Sequence, residues 1–116
     1  MLFLEYPKCS TCQKAKKWLD SHGIKYTDRH IVEENPSYDE LKEWYSKSGL
    51  LLKKFFNTSG LAYKEMQLKD KLPGMSEEEQ LRLLATNGML VKRPLIVDGE
   101  TVLTGFKEAD WMEKIL

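Results

Sequence analysis

The chain has 116 residues and a mass of 13.5 kDa, enough for one domain whose core needs no disulfide staples. Eighteen lysines and arginines balance eighteen acids, which argues against the broad basic footprint of a protein that grips nucleic acid directly. No stretch reaches the roughly 18 successive apolar residues of a membrane span, and the opening MLFLEYPKCS lacks the basic-then-apolar pattern of a signal peptide.

LFLEY, residues 2 to 6, is a short apolar run stopped by Pro7 and reads as a buried strand. Ser10 and Gln13 have capping-box spacing, which predicts Ser10 as N-cap of a helix over Thr11–His22. Ala15, Trp18, Leu19 and His22 fall at helical spacing, and Gly23 closes the segment. A second strand is predicted from about Lys25 to Ile31, with a break at EENP. Ser37 and Glu40 form another capping box, opening a helix with Leu41, Trp44 and Tyr45 on one face and Gly49 at its end.

LLLKKFF predicts a short helix running into the turn NTSG, with further short helix about LAYKEM. Pro73-Gly74 punctuates the chain. Ser76 with Glu79 caps a helix whose first turn carries three acids, where they favour the dipole. PLIVDGETVLTG predicts a hairpin about Asp98-Gly99. A closing helix places Ala109, Met112 and Ile115 along one side, with Trp111 and Leu116 nearby. The order β-α-β, a helical block over about residues 37–87, then β-β-α predicts a single α/β domain spanning 1–116, its sheet sandwiched by helices.

Both cysteines lie in YPKCSTCQKAKKWL. On this map Cys9 sits in the turn before the first helix and Cys12 in the helix's first turn. Unpaired amides and the positive helix end face the Cys9 sulfur, and Lys8 and Lys14 add charge nearby in sequence. These terms lower its pKa from about 8.5 toward or below neutrality. Cys12, three residues on, is placed to attack a mixed disulfide on Cys9, so Cys9 is the expected nucleophile and Cys12 the resolving thiol.

Two competing readings are weaker. Strand–Cys-x-x-Cys–helix is the context expected of redox work rather than of two structural cysteines. A structural zinc site needs about four protein ligands, and the remaining candidates, His22 and His30, show no ligand spacing. No metal is expected. Two close cysteines without other partners suit a reducing cytosol, so a cytoplasmic location is expected. The pair alone names no substrate, because reductase, sensor and disulfide exchanger share it.

YPKCSTCQKAKKWL, KKFFNTSG, LVKRPLIVDG and TGFKEADW, in that order and across nearly the whole chain, resemble the ArsC/Spx family. The resemblance implies a thioredoxin-like fold with a helical insertion, and a cis Pro94 beside the active site. It implies one of two activities. Arsenate reductases of this family attack arsenate with the cysteine at the Cys9 position, and glutathione with glutaredoxin, or a thioredoxin-like donor, completes turnover. Spx-like regulators carry a Cys-x-x-Cys switch and bind the RNA polymerase α subunit.

The reductases surround their oxyanion with three arginines, whose planar forks suit a tetrahedral anion. One maps onto Arg93. The second position holds Asn57 here and the third falls near Gly105 and Phe106. Arg29 and Arg82, the other arginines of the chain, map to neither, and Lys53, Lys54 and Lys107 supply charge near the vacant positions without the fork. Departure from Spx lies at the other end, where no basic tail follows the last helix.

The expected site is therefore Cys9, Cys12 and Arg93, with Ser10 and Thr11 offering helix-end amides to an oxyanion and Pro94 shaping the rim. The expected substrate is a small oxyanion or a disulfide. The expected partner is a thiol-reducing protein, with no bound cofactor.

Overall fold

A computed structural model describes all of residues 1–116. The strands are β1 (Leu2–Glu5), β2 (Thr27–His30), β3 (Leu95–Asp98) and β4 (Thr101–Thr104). The α-helices are α1 (Ser10–Ser21), α2 (Tyr38–Ser48), α3 (Leu61–Glu65), α4 (Leu68–Lys71), α5 (Glu77–Leu84) and α6 (Glu108–Ile115). The sheet order is β2-β1-β3-β4, with β1 parallel to β2 and antiparallel to β3, and β3 antiparallel to β4. This is the β-α-β, helical block, β-β-α order expected, and the fold is thioredoxin-like.

Alternation along β1 divides the core. Phe3 faces α1 and α6, where it packs with Ala15, Trp18, Leu19, Ile96, Leu103 and Trp111. Leu4 faces the other way, into a larger cluster with Leu41, Trp44, Phe55, Leu84 and Leu95. The inserted helices thus cover one face of the sheet while α1 and α6 cover the other. Glu5, one residue on, is turned by the same period of two to the α1 face.

Two of the three capping boxes form as expected. Ser37 Oγ accepts from the Glu40 amide while Glu40 Oε1 accepts from the Ser37 amide, and Ser76 and Glu79 do the same for α5. Glu40 also receives both Nη atoms of Arg29, at 2.7 and 2.9 Å, which ties β2 to the insertion. Gly88 stands where the chain leaves the insertion. A Cβ there would run into the Ile31 carbonyl and the Asn35 side chain.

Four expectations are corrected. Ser10 is not the N-cap of α1: that position belongs to Cys9, and the helix begins at Ser10. Gln13 takes no part in a capping box because its amide donates to Glu5 Oε2 and the Pro7 carbonyl. LLLKKFF yields only a 3-10 turn over Leu52–Phe55, as Leu52 and Phe55 go into the core and Leu51 points out. In α6 the sheet-facing residue is Trp111, 1% exposed, whereas Met112 is 51% exposed and Ala109 is also on the outside.

Candidate active site

β1 ends at Glu5, and the chain turns through Pro7 and Lys8, with the Cys9 amide donating to the Tyr6 carbonyl at 2.9 Å. The turn delivers Cys9 to the N-cap position, in extended backbone geometry, with its sulfur accepting from the Cys12 amide at 3.4 Å. A sulfur here does what a serine oxygen does at other helix starts, so the amides that α1 leaves open solvate a thiolate. Cys9 is partly exposed and Cys12 fully buried, both as free thiols.

Their proton affinities are driven apart. Burial works to raise the Cys9 pKa, but hydrogen bonds from the Cys12 thiol and amide, the Arg93 charge and the Thr11 amide outweigh it, and the value lies below that of an ordinary thiol. Burial pushes Cys12 up to about 12, with the neighbouring Cys9 and Glu5 charges acting in the same direction. One thiol is activated and the other is held as a proton donor to it.

Arg93 reaches the site from the end of the insertion, immediately before β3, and the Arg93–Pro94 peptide is cis. Its Nη1 donates to the Met89 carbonyl at 3.3 Å, and its guanidinium lies 5.2 Å from the Tyr6 ring centroid. Nε is buried with no hydrogen-bond partner. A buried donor left open is costly, and an anion beside Cys9 is a ligand suited to a guanidinium.

Removing the Arg93 charge takes away one of the forces that lower the Cys9 pKa. Arg93→Met is expected to raise the midpoint of Cys9 alkylation by iodoacetamide and to slow the reaction several-fold at pH 7. An unchanged pH–rate profile would remove Arg93 from the site.

Sequence expectations are met unevenly here. Cys9, Cys12 and Arg93 come together, and Thr11 contributes its amide; the side chains of Ser10 and Thr11 are exposed. Lys8 and Lys14 are exposed, and the cation acting most on Cys9 is the distant Arg93. Arg29 is held by Glu40, and Arg82 by Glu78 with its guanidinium 4.3 Å from the Tyr38 ring, so neither replaces a missing arginine.

At the third arginine position Phe106 packs on Trp111, with ring centroids 4.7 Å apart, and Gly105 has the stem of Lys92 alongside it. Lys92 was not anticipated; nor were Tyr6 and Glu5, which sequence alone shows only as strand residues. The zinc candidates are otherwise engaged. His22 Nδ1 lies 2.8 Å from the Trp18 carbonyl, and His30 Nδ1 accepts from the Val32 and Glu33 amides. No helix is long and apolar enough to cross a membrane.

Comparison with known proteins extends the likeness well beyond this site. An ArsC-family-related protein from Bacteroides fragilis is 62% identical, with a TM-score of 0.94 over 97% of this chain and 94% of that one. A possible arsenate reductase from Streptococcus mutans is 44% identical, with a TM-score of 0.88 over 96% of each chain. The global transcriptional regulator Spx of Staphylococcus aureus is 30% identical over 103 residues, 88% of this chain and 76% of the relative. Reductase-like and regulator-like relatives thus share one scaffold. Residues 4–114 match the ArsC family from the first strand to the last helix, and the chain belongs to that family.

Proposed function

We propose that the protein is a thiol-dependent oxidoreductase in which Cys9 is the nucleophile and Cys12 the resolving thiol. The observation that carries this reading is the opposition within the pair. Cys9 is partly exposed with a lowered pKa, and Cys12 is buried with its pKa pushed up to about 12. Burial alone raises a thiol such as Cys12, but Cys9 is lowered against its own burial by directed hydrogen bonds and the Arg93 charge, which a purely structural pair does not need.

With an oxyanion such as arsenate, the Cys9 thiolate displaces one oxygen as water and forms an S–As bond. Cys12, once deprotonated, attacks Cys9 Sγ. The S–S bond forms, the S–As electron pair passes to arsenic, and arsenic leaves in the trivalent state. With a disulfide substrate the same two attacks release two thiols. Arg93 and the helix-end amides stabilise the negative charge that collects beside Cys9. An external donor of the thioredoxin, glutaredoxin or glutathione class returns the pair to the dithiol, and no metal or organic cofactor enters either step.

Arsenate-dependent NADPH oxidation, coupled to a thioredoxin or glutaredoxin system, tests the oxyanion branch. Turnover that is lost in Cys9→Ser and reduced in Arg93→Ala is the expected result. No turnover with any donor would set arsenate aside and leave the disulfide branch.

The 30% identity to a transcriptional regulator favours a second reading. In it, Cys9–Cys12 oxidation would change affinity for the RNA polymerase α subunit, and no substrate would be consumed. Binding of that subunit to the reduced and oxidised protein separates the two.

A further inference from the structure

We propose that Tyr6 is the positioning residue for Arg93, its ring holding the guanidinium at the cysteine turn with the positive charge left free for an anionic substrate. The role rests on the reading of Cys9 as nucleophile and of Arg93 as the group that stabilises negative charge beside it. Each arginine of the chain lies against an aromatic ring. Arg29 is 6.0 Å from the Trp44 centroid, Arg82 4.3 Å from that of Tyr38 and Arg93 5.2 Å from that of Tyr6. Arg29 and Arg82 are also held by a carboxylate, Glu40 at 2.7 Å and Glu78 at 3.0 Å. Arg93 differs. Its hydrogen-bond acceptor is the Met89 carbonyl, 3.3 Å from Nη1, and its Nε is buried without a partner.

A carboxylate would hold the Arg93 guanidinium firmly, but it would also neutralise the charge and compete with an incoming anion. An aromatic face attracts the cation through its quadrupole and leaves both the net charge and the N–H fork available. One neutral hydrogen bond leaves a long side chain several ways to swing, and the ring restricts them.

Tyr6 is itself fixed. Its carbonyl accepts from the Cys9 amide at 2.9 Å, so the residue that supports the arginine also sets the turn that carries the nucleophile. Its side chain packs against the larger core cluster, and its ring meets the His30 ring edge-on, with centroids 5.7 Å apart and planes at 88°. His30 is anchored in turn, because its Nδ1 accepts from the Val32 and Glu33 amides. A brace thus runs from β2 through His30 and Tyr6 to Arg93. The ring of Tyr6 makes both of its side-chain contacts along this brace. Phenylalanine should therefore serve in its place, and an aliphatic residue should not.

Iodoacetate and iodoacetamide read the arginine at the sulfur. Both consume the same Cys9 thiolate, so the ratio of their rates cancels the ionised fraction and reports the positive charge met by a carboxylate. Arg93→Met is expected to lower the iodoacetate-to-iodoacetamide ratio by about three- to tenfold. Tyr6→Leu should lower it by at least about twofold, and Tyr6→Phe should keep the wild-type ratio. With Arg93→Met already present, Tyr6→Leu should change the ratio no further, as expected of a residue that acts through the arginine. His30→Ala leaves Tyr6 and the cysteine turn in place and should give a smaller loss in the same direction. Lost stability alone moves none of these ratios, because both reagents sample the same folded protein.

A wild-type ratio in Tyr6→Leu, or in His30→Ala should Tyr6→Leu not fold, would overturn the role of Tyr6. So would an equal fall with and without Arg93. A ratio that Arg93→Met does not move would instead overturn the reading of Arg93 as the anion-stabilising group, and the proposal with it.

Discussion

Iodoacetamide at pH 7 is expected to alkylate Cys9 and to spare Cys12, so that Cys9→Ser takes up essentially no label while folded. The two thiols differ in chemistry before they differ in access. At pH 7 an ordinary thiol is a few per cent ionised, and one at about 12 is about 10⁻⁵ ionised. The greater nucleophilicity of the more basic thiolate recovers between one and two of those decades, leaving Cys12 about 10²-fold slower than an ordinary thiol. Full burial of Cys12 widens the gap.

For Cys9 the sign is opposite. Its lowered pKa keeps the thiolate populated as pH falls below the usual thiol range, so its labelling should remain fast there. Peptide mass mapping after a short pulse reads both sites, and denaturant should make them equivalent. Equal labelling in the folded state, or faster labelling of Cys12, would reverse the division of roles on which the redox chemistry depends.

What could be read without coordinates followed the range of the interactions. The capping boxes at Ser37 and Ser76 are closed within four residues by hydrogen bonds that Ser and Glu make wherever the chain allows. The same spacing at Ser10 and Gln13 misled, because a sulfur one residue earlier takes the cap and Gln13 turns to Glu5. The Cys-x-x-Cys pair was legible because both thiols lie within one helical turn.

Arg93 lies 84 positions from Cys9 by residue number, and only the family likeness pointed to it. The local lysines looked the better source of charge, and only the folded chain shows which cation reaches the sulfur. Glu5 was harder still. In LFLEY it reads as one polar residue in an apolar run, and its meaning depends on α1 packing over it.

The closing helix shows the same limit in its energetics. Trp111→Ala is expected to destabilise the protein by about 3–5 kcal/mol, as removal of a buried tryptophan from a packed core does. Its ring is 1% exposed and sits 4.7 Å from Phe106 and 5.7 Å from Trp18, centroid to centroid, with edge-on geometry at both. Met112→Ala, by contrast, trims a side chain that is 51% exposed and should cost no more than about 0.5 kcal/mol.

Helical spacing admits two stripes in EADWMEKI. Ala109, Met112 and Ile115 make one, and Trp111 with Ile115 makes the other. Trp18 decides between them, because α1 projects its own large ring from the same side of the sheet and leaves room for a second one. Urea titration of both variants measures the difference. A cost for Met112→Ala comparable to that for Trp111→Ala would place the helix on its other face. Trp18 belongs to the helix whose first turn carries the two thiols. The Trp18–Trp111 contact therefore anchors the far end of the element that holds Cys9 at its cap, and Trp111→Ala should lose stability without moving the pH profile of Cys9 labelling in the protein that remains folded.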